Sequence, residues 1–398
     1  MARYESADNS GAEETEELRS GRRKAARYVV PVAVVGVTAA TIGLVPALAD
    51  SGDPSLPKIT AQQLIEKIAK SDVEQLSGTV KISTDLGLPN LGGLENSLAS
   101  GIAPSGDGSS ADPTSKLTEL VSGTHTLRVA ADGPDRQKLS LIESAAEYSL
   151  IHNGKDVWGY DSKSNEVYHG TAAQDGAEHR NEAPATPKDL ADEALKSVDD
   201  TTSVTVDGTM QVAGRDAYKL LVKPKQSGTT VGAISIAVDA KTGLPLKFTL
   251  TPASGGAAVV DAGFTQVSFA KPAASTFDFT PPKGANVTEE DKSESAEVPD
   301  AKSGHDLAKG PQGHEVLGEG WNAIATFDTG EKGGLPSGSA GGDLGGFLGS
   351  LGDQVSGKFG KGTVFSTRLV NALLTDDGKV YVGAVTKDAL VKAANSGQ

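Results

Sequence analysis

From Leu76 onward, apolar residues recur at every second position in short runs that end in turn residues, and this confines the chain to a sheet of short strands. Val80, Ile82 and Leu86 alternate with Lys81, Ser83 and Asp85. Leu127, Val129 and Ala131 alternate with Arg128 and Ala130, and Leu139 and Leu141 with Lys138 and Ser140. A period of two places successive side chains on opposite faces, so these runs read as half-buried strands. Asn153-Gly154 reads as a tight turn between strands at 148–151 and 157–160, and Asp161–Asn165 turns the chain again before Val167 and Tyr168. Further strands are expected at Val204–Val212, Ala217–Val222, Val231–Val238, Leu246–Thr251 and Val259–Phe269, with a hairpin corner over 238–245. Strands joined this tightly pair antiparallel, because a parallel pair needs a long crossover.

Helices interrupt the pattern. Thr60 and Gln63 fit a capping box, followed by Ala61, Leu64, Ile65 and Ile68 at helical spacing. Thr186-Pro187 starts a second helix, with Leu190, Ala191, Ala194, Leu195 and Val198 as its apolar stripe. Residues 287–312 are polar and charged and read as a linker. Beyond it a strand is expected at Trp321–Phe327 and a hairpin from Thr363–Leu374 to Val380–Val385 across Asp376-Asp377-Gly378. A last helix, 387–394, is capped by Thr386.

Two long insertions carry apolar stripes. One, Gly87 to Val121, holds Leu88, Leu91, Leu94, Leu98 and Ile102; the other, Gly330 to Gly362, holds Leu344, Phe347, Leu348, Leu351, Val355 and Phe359. Long loops of this kind are often lids or binding loops, and the plainer reading is that each stripe packs on its own domain.

The N-terminus carries an address. A polar tail, 1–27, ends in the basic cluster Arg19, Arg22, Arg23, Lys24 and Arg27, and no charged residue follows from Tyr28 to Ala49. Ala47 and Ala49 form an A-x-A cleavage pattern. The stretch 28–49 is also long enough to be an uncleaved anchor whose basic side stays cytoplasmic. Both readings put the body outside the cytoplasm, secreted or anchored to the cell membrane.

Basic and acidic residues balance before Asp50, so the net charge of −15 belongs to the rest of the chain. An acidic body does not suit nucleic acid. With no cysteine in the chain, disulfides, thiolate chemistry and lipid attachment through an N-terminal Cys are excluded. The six histidines are scattered without metal-site spacing, and no nucleophile elbow or phosphate loop is present. The expectation is a protein that is not an enzyme and carries no cofactor.

The segment from about 60 to 288 resembles the LolA-like family of periplasmic lipoprotein carriers. The likeness lies in Leu64-Ile-Glu-Lys-Ile68, Leu76-Ser-Gly-Thr-Val80, Asn153-Gly-Lys-Asp-Val-Trp-Gly-Tyr-Asp161, Val238-Asp-Ala-Lys-Thr-Gly-Leu-Pro245 and Phe277-Asp-Phe-Thr-Pro-Pro-Lys-Gly-Ala-Asn-Val287. Through Trp321–Phe327 and Leu373-Leu-Thr-Asp-Asp-Gly-Lys-Val-Tyr-Val382, the C-terminal unit is weakly similar to the small domain of RseB/MucB-type sigma-factor regulators. The resemblance implies an α+β fold: a curved antiparallel half-barrel with a helical lid, 57–288, a linker, 289–312, and a small α+β domain, 313–398. It implies a concave apolar face that takes lipid or lipoprotein acyl chains, or a regulatory contact with a membrane-anchored partner such as an anti-sigma factor. Candidate ligand contacts are Leu88, Leu91, Leu94 and Leu98 on the insertion, with Trp158 and Tyr160, which share one strand face, lining or closing the cavity. For these two, ordinary core packing is the plainer alternative.

Overall fold

The computed structural model describes residues 53–87, 111–113, 116, 120, 122–171, 186–289, 315–328 and 352–396, all within the compact unit Asp50–Gln398. The stretch 28–49, with Ala47 and Ala49, and the leucines Leu88, Leu91, Leu94 and Leu98 lie outside the described residues. Among the described residues no helix is long and apolar enough to cross a membrane.

Reciprocal caps start the first two helices. The Thr60 hydroxyl accepts from the Gln63 N–H at 3.1 Å and the Gln63 side chain accepts from the Thr60 N–H at 3.0 Å, opening α1 (Ala61–Ala69). Thr186 and Asp189 repeat the arrangement at 3.2 and 3.0 Å to open α2 (Pro187–Lys196), with Pro187 where its missing N–H costs nothing.

The main sheet contains β1 (Gln75–Thr84), β2 (Gly123–Asp132), β3 (Arg136–Ile142), β4 (Glu147–Asn153), β5 (Asp156–Asp161), β6 (Glu166–Thr171), β7 (Thr202–Val212), β8 (Arg215–Pro224), β9 (Val231–Asp239), β10 (Pro245–Pro252), β11 (Val260–Ser268) and β12 (Asn286–Glu289). Its twelve strands run in the order β12-β6-β5-β4-β3-β2-β1-β11-β10-β9-β8-β7. The sheet is open, with β12 and β7 as its edges. Neighbours pair antiparallel except β12, which runs parallel to β6.

Register carries one apolar face across most of this sheet. Leu220 pairs with Ile236, Ile236 with Phe248, Phe248 with Ala262 and Ala262 with Ile82. Two residues along β1 on the same face, Val80 pairs with Leu127, Leu127 with Leu141 and Leu141 with Tyr148. Leu64 and Ile68 of α1 and Ala191 of α2 pack on the first of these rows. Each buried leucine there contributes about 2 kcal/mol of transfer energy. The opposite face carries ion pairs instead, Lys219 with Asp207 at 2.6 Å and Lys247 with Asp261 at 2.9 Å.

The second sheet contains β13 (Glu315–Leu317), β14 (Ile324–Asp328), β15 (Asp353–Gly357), β16 (Gly360–Ser366), β17 (Asn371–Thr375) and β18 (Lys379–Gly383) in the order β13-β14-β18-β17-β16-β15. Leu390 and Ala394 of α3 (Lys387–Ser396) share its core with Leu373, Tyr381 and Phe359. Two sequence expectations are corrected here. Thr363–Leu374 is not one strand, because the Thr367 hydroxyl accepts from the Val370 N–H at 2.8 Å and turns the chain between β16 and β17. Trp321 is not in a strand but in the short 3₁₀ turn Gly320–Asn322, from which its indole N–H donates to the Thr202 hydroxyl at 2.8 Å. Val355 and Phe359, read from sequence as part of an insertion stripe, belong to the core of this sheet.

The two sheets are joined directly. The Thr230 N–H donates to the Ala384 carbonyl at 2.9 Å, the Thr386 N–H to Gly228 at 2.8 Å and the Arg368 N–H to Leu86 at 2.8 Å. The Arg368 guanidinium also pairs with Asp85 at 2.6 Å and donates to the Ala257 carbonyl.

Candidate functional site

Among the described residues, Ala111 and Leu120 from the returning end of the first insertion lie at the apolar face of β2 to β5. Leu127, Leu141 and Tyr148 lie there, each no more than 3% exposed. Leu120, at the returning end of the first insertion, belongs to the same cluster. Ala111, fully buried, marks where that returning leg meets the sheet.

Polar bonds fasten the leg at defined points. The Tyr148 hydroxyl donates to the Ala111 carbonyl at 3.1 Å. The Thr84 hydroxyl donates to the Leu120 carbonyl at 3.3 Å. Between them the Lys116 N–H donates to the Asp112 carbonyl at 3.3 Å, the bond of a helical turn. The Lys116 ammonium reaches Glu143 at 3.2 Å and Asp161 at 3.6 Å, and the Asp161 side chain is 5% exposed. A carboxylate so buried needs a counter-charge, and Lys116 supplies one.

Gly159 allows this approach. A Cβ there would stand 2.4 Å from the Ala111 carbonyl oxygen and 2.9 Å from the Tyr148 hydroxyl. Only a residue without a side chain lets the leg lie this close to β5.

Trp158 and Tyr160 stand on the other face of β5. Strand alternation turns them away from Gly159 and Tyr148, so they line the outer side of this wall. There they share a face with Ile151 and Val167, both essentially buried. Phe279, from the Phe277–Val287 stretch, covers them, with its ring 5.5 Å from Trp158 and 5.7 Å from Tyr160. His169 stacks on Trp158 at 3.7 Å and 11°. Burial works against charge on His169, but hydrogen bonds and charge from Asp156 and Glu289 prevail and hold its pKa above the ordinary value. Among the described residues no three His, Asp or Glu side chains are placed to hold a metal.

Ala111, Lys116, Tyr148 and Gly159 do not stand out in the sequence. Gly159 had a local signal, a glycine inside the otherwise bulky Val-Trp-Gly-Tyr run. Lys116 had none, because nothing in its neighbourhood tells that it meets Asp161.

A groove of about 900 Å³ lies beside β13 and α3 and is lined by Leu317, Asn322, Ile324, Tyr381, Ala389 and Ala393 among others.

No family model matches this sequence, and no curated protein matches it. Among solved structures it is similar to MucB of Pseudomonas aeruginosa in complex with MucA, at 16% identity and a TM-score of 0.39, covering 84% of this chain and 96% of that one. It is similar to an uncharacterised conserved protein of Thermus thermophilus, at 13% identity and a TM-score of 0.31, over 58% of this chain and 99% of that one. It is also similar to a LolA superfamily protein of Nitrosomonas europaea, at 12% identity and a TM-score of 0.23, over 56% of this chain and 99% of that one.

Proposed function

We propose that this chain works outside the cytoplasm, without catalysis, by holding an acyl chain of a lipid or lipoprotein against the apolar face of β2 to β5. The observation that carries the reading is the nature of this contact. A wall of Leu127, Leu141 and Tyr148 meets the leg residues Ala111, Lys116 and Leu120, fastened by polar bonds that include Tyr148 to Ala111 and Lys116 to Glu143. Because the leg meets the wall in this structure, a ligand enters by displacing that leg. In this reading the sheet acts as a half-barrel, α1 and α2 with the leg act as its lid, and Leu88, Leu91, Leu94 and Leu98 contact the ligand. Trp158 and Tyr160 stiffen the wall from its outer side. A twelve-carbon chain buried there gains about 10 kcal/mol before ordering costs. Residues 28–49 export or anchor the body.

The test is titration with an apolar fluorescent dye, followed by displacement with dodecanoate. Saturable dye binding that dodecanoate reverses supports the reading, and absence of dye binding overturns it.

A second reading is a regulatory module that contacts a membrane-anchored partner, such as an anti-sigma factor. The groove beside β13 and α3 favours it, since β13 is an edge strand whose Glu315 and Leu317 line the groove. Partner recovery from envelope extracts, with Lys392→Glu on the groove lining as control, separates the two: recovery unchanged by that substitution removes the groove from consideration.

A further inference from the structure

The edge strand β12 is four residues long, every one exposed, and it pairs with a single neighbour. Such a strand has little apolar burial to hold it. Its register on β6 runs Asn286 to Glu166, Val287 to Val167, Thr288 to Tyr168 and Glu289 to His169. At the last of these steps the side chains meet. His169 Nδ1 lies 2.7 Å from the Glu289 carboxylate on β12, and its Nε2 lies 3.2 Å from the Asp156 carboxylate on β5.

A neutral imidazole has one N–H and so can donate to one of these carboxylates, leaving a lone pair facing the other. The protonated ring donates to both. Its stacking on Trp158 adds a face-on contact between a cation and an indole, which also favours the charged form. Asp156 from β5 and Glu289 from β12 are the charged groups that meet the ring. Trp158, and Phe279 behind it, bring none.

We infer that His169 is a proton-controlled clasp that fastens β12 to the edge of the main sheet and loosens it when the ring is neutral. The sign follows from the raised pKa of His169. A group whose pKa is raised on folding adds stability that is complete below its unfolded value, near 6.5, and is lost as pH rises through the folded value. Mild acid therefore tightens the clasp and neutral to alkaline pH opens it. Opening uncovers the main-chain edge of β6 from Glu166 to His169, a place where another strand can add.

The experiment is hydrogen exchange of the amides of Val287, Thr288 and Glu289 in the full chain between about pH 5 and 8, expressed as protection relative to the intrinsic rate at each pH. Protection is expected to fall about two- to five-fold across the range, the span of an exposed ion pair. His169→Gln and Glu289→Gln should each flatten that dependence while exchange in β3 and β4 stays unchanged. Protection that is independent of pH in the parent chain overturns the inference. So does a pH dependence that persists in both variants. Should His169→Gln disturb the fold, Glu289→Gln alone decides, because its side chain is 69% exposed and serves only the clasp.

Discussion

The Tyr148 hydroxyl donates to the Ala111 carbonyl at 3.1 Å, tying β4 to the leg at the apolar face. The bond depends on how near the leg comes to the sheet. That nearness is set by Gly159, one strand away, which leaves room for both groups.

Gly159→Ala should therefore act on the leg first. The added methyl meets the Ala111 oxygen and the Tyr148 hydroxyl inside contact distance, and overpacking of this kind costs about 1–3 kcal/mol. The expected outcome is a lower Tm and faster hydrogen exchange at Ala111 and Lys116, with exchange in β8 and β9 unchanged.

Lys116→Ala removes the cation from between Glu143 and the buried Asp161. Breaking a buried pair by removing one partner costs on the order of 3 kcal/mol. Urea unfolding at neutral pH should show that loss, and Lys116→Ala combined with Asp161→Asn should recover part of it. Failure of the double variant to recover any stability would falsify the pairing as a stabilising contact.

Asp239 anchors the other end of the main sheet. It is 1% exposed and accepts from the Nε–H and Nη2–H of the Arg215 guanidinium, from the backbone N–H groups of Lys241 and Thr242, and from the Thr242 hydroxyl. Burial alone would raise its pKa, but the Arg215 and Thr242 hydrogen bonds outweigh it and hold the carboxyl below its ordinary value. A depressed carboxyl contributes stability that is present above its unfolded value and lost as pH falls through the folded one. Asp239→Asn should cost about 3 kcal/mol near neutral pH. The difference from the parent chain should shrink in urea melts carried below about pH 4, the ordinary carboxyl range.

Arg368→Ala tests how the second sheet is held. This side chain reaches Asp85 and the Ala257 carbonyl from the turn between β16 and β17. Its loss should speed proteolysis near Thr367 several-fold and lower Tm, while the main-chain bonds at Thr230 and Thr386 keep the sheets joined.

How much of this is legible beforehand depends on the range of the interaction. The capping pairs of Thr60 with Gln63 and Thr186 with Asp189 are local, so both helix starts can be read directly. The alternation of Leu127 with Arg128 and of Leu139 with Ser140 likewise reports strand faces. Strand β12 is not readable that way, because Asn-Val-Thr-Glu has no apolar alternation and is held by a parallel neighbour far away in sequence. The turn at Thr367 depends on one hydroxyl inside an otherwise strand-like run. Alternation relates Trp158 to Tyr160, but which face closes over the leg is decided by Ala111, whose meeting with Gly159 is long-range. The approach of Lys116 to Asp161 is long-range too, and no periodicity records it.

The most direct test of acyl binding is native mass spectrometry of the chain purified from envelope fractions, followed by organic extraction. Binding at the face of β2 to β5 predicts a bound species of lipid mass that leaves on extraction and is retained or enriched when Gly159→Ala loosens the leg that competes with it. Protein recovered at its bare mass, and still bare after incubation with lipid, would contradict it.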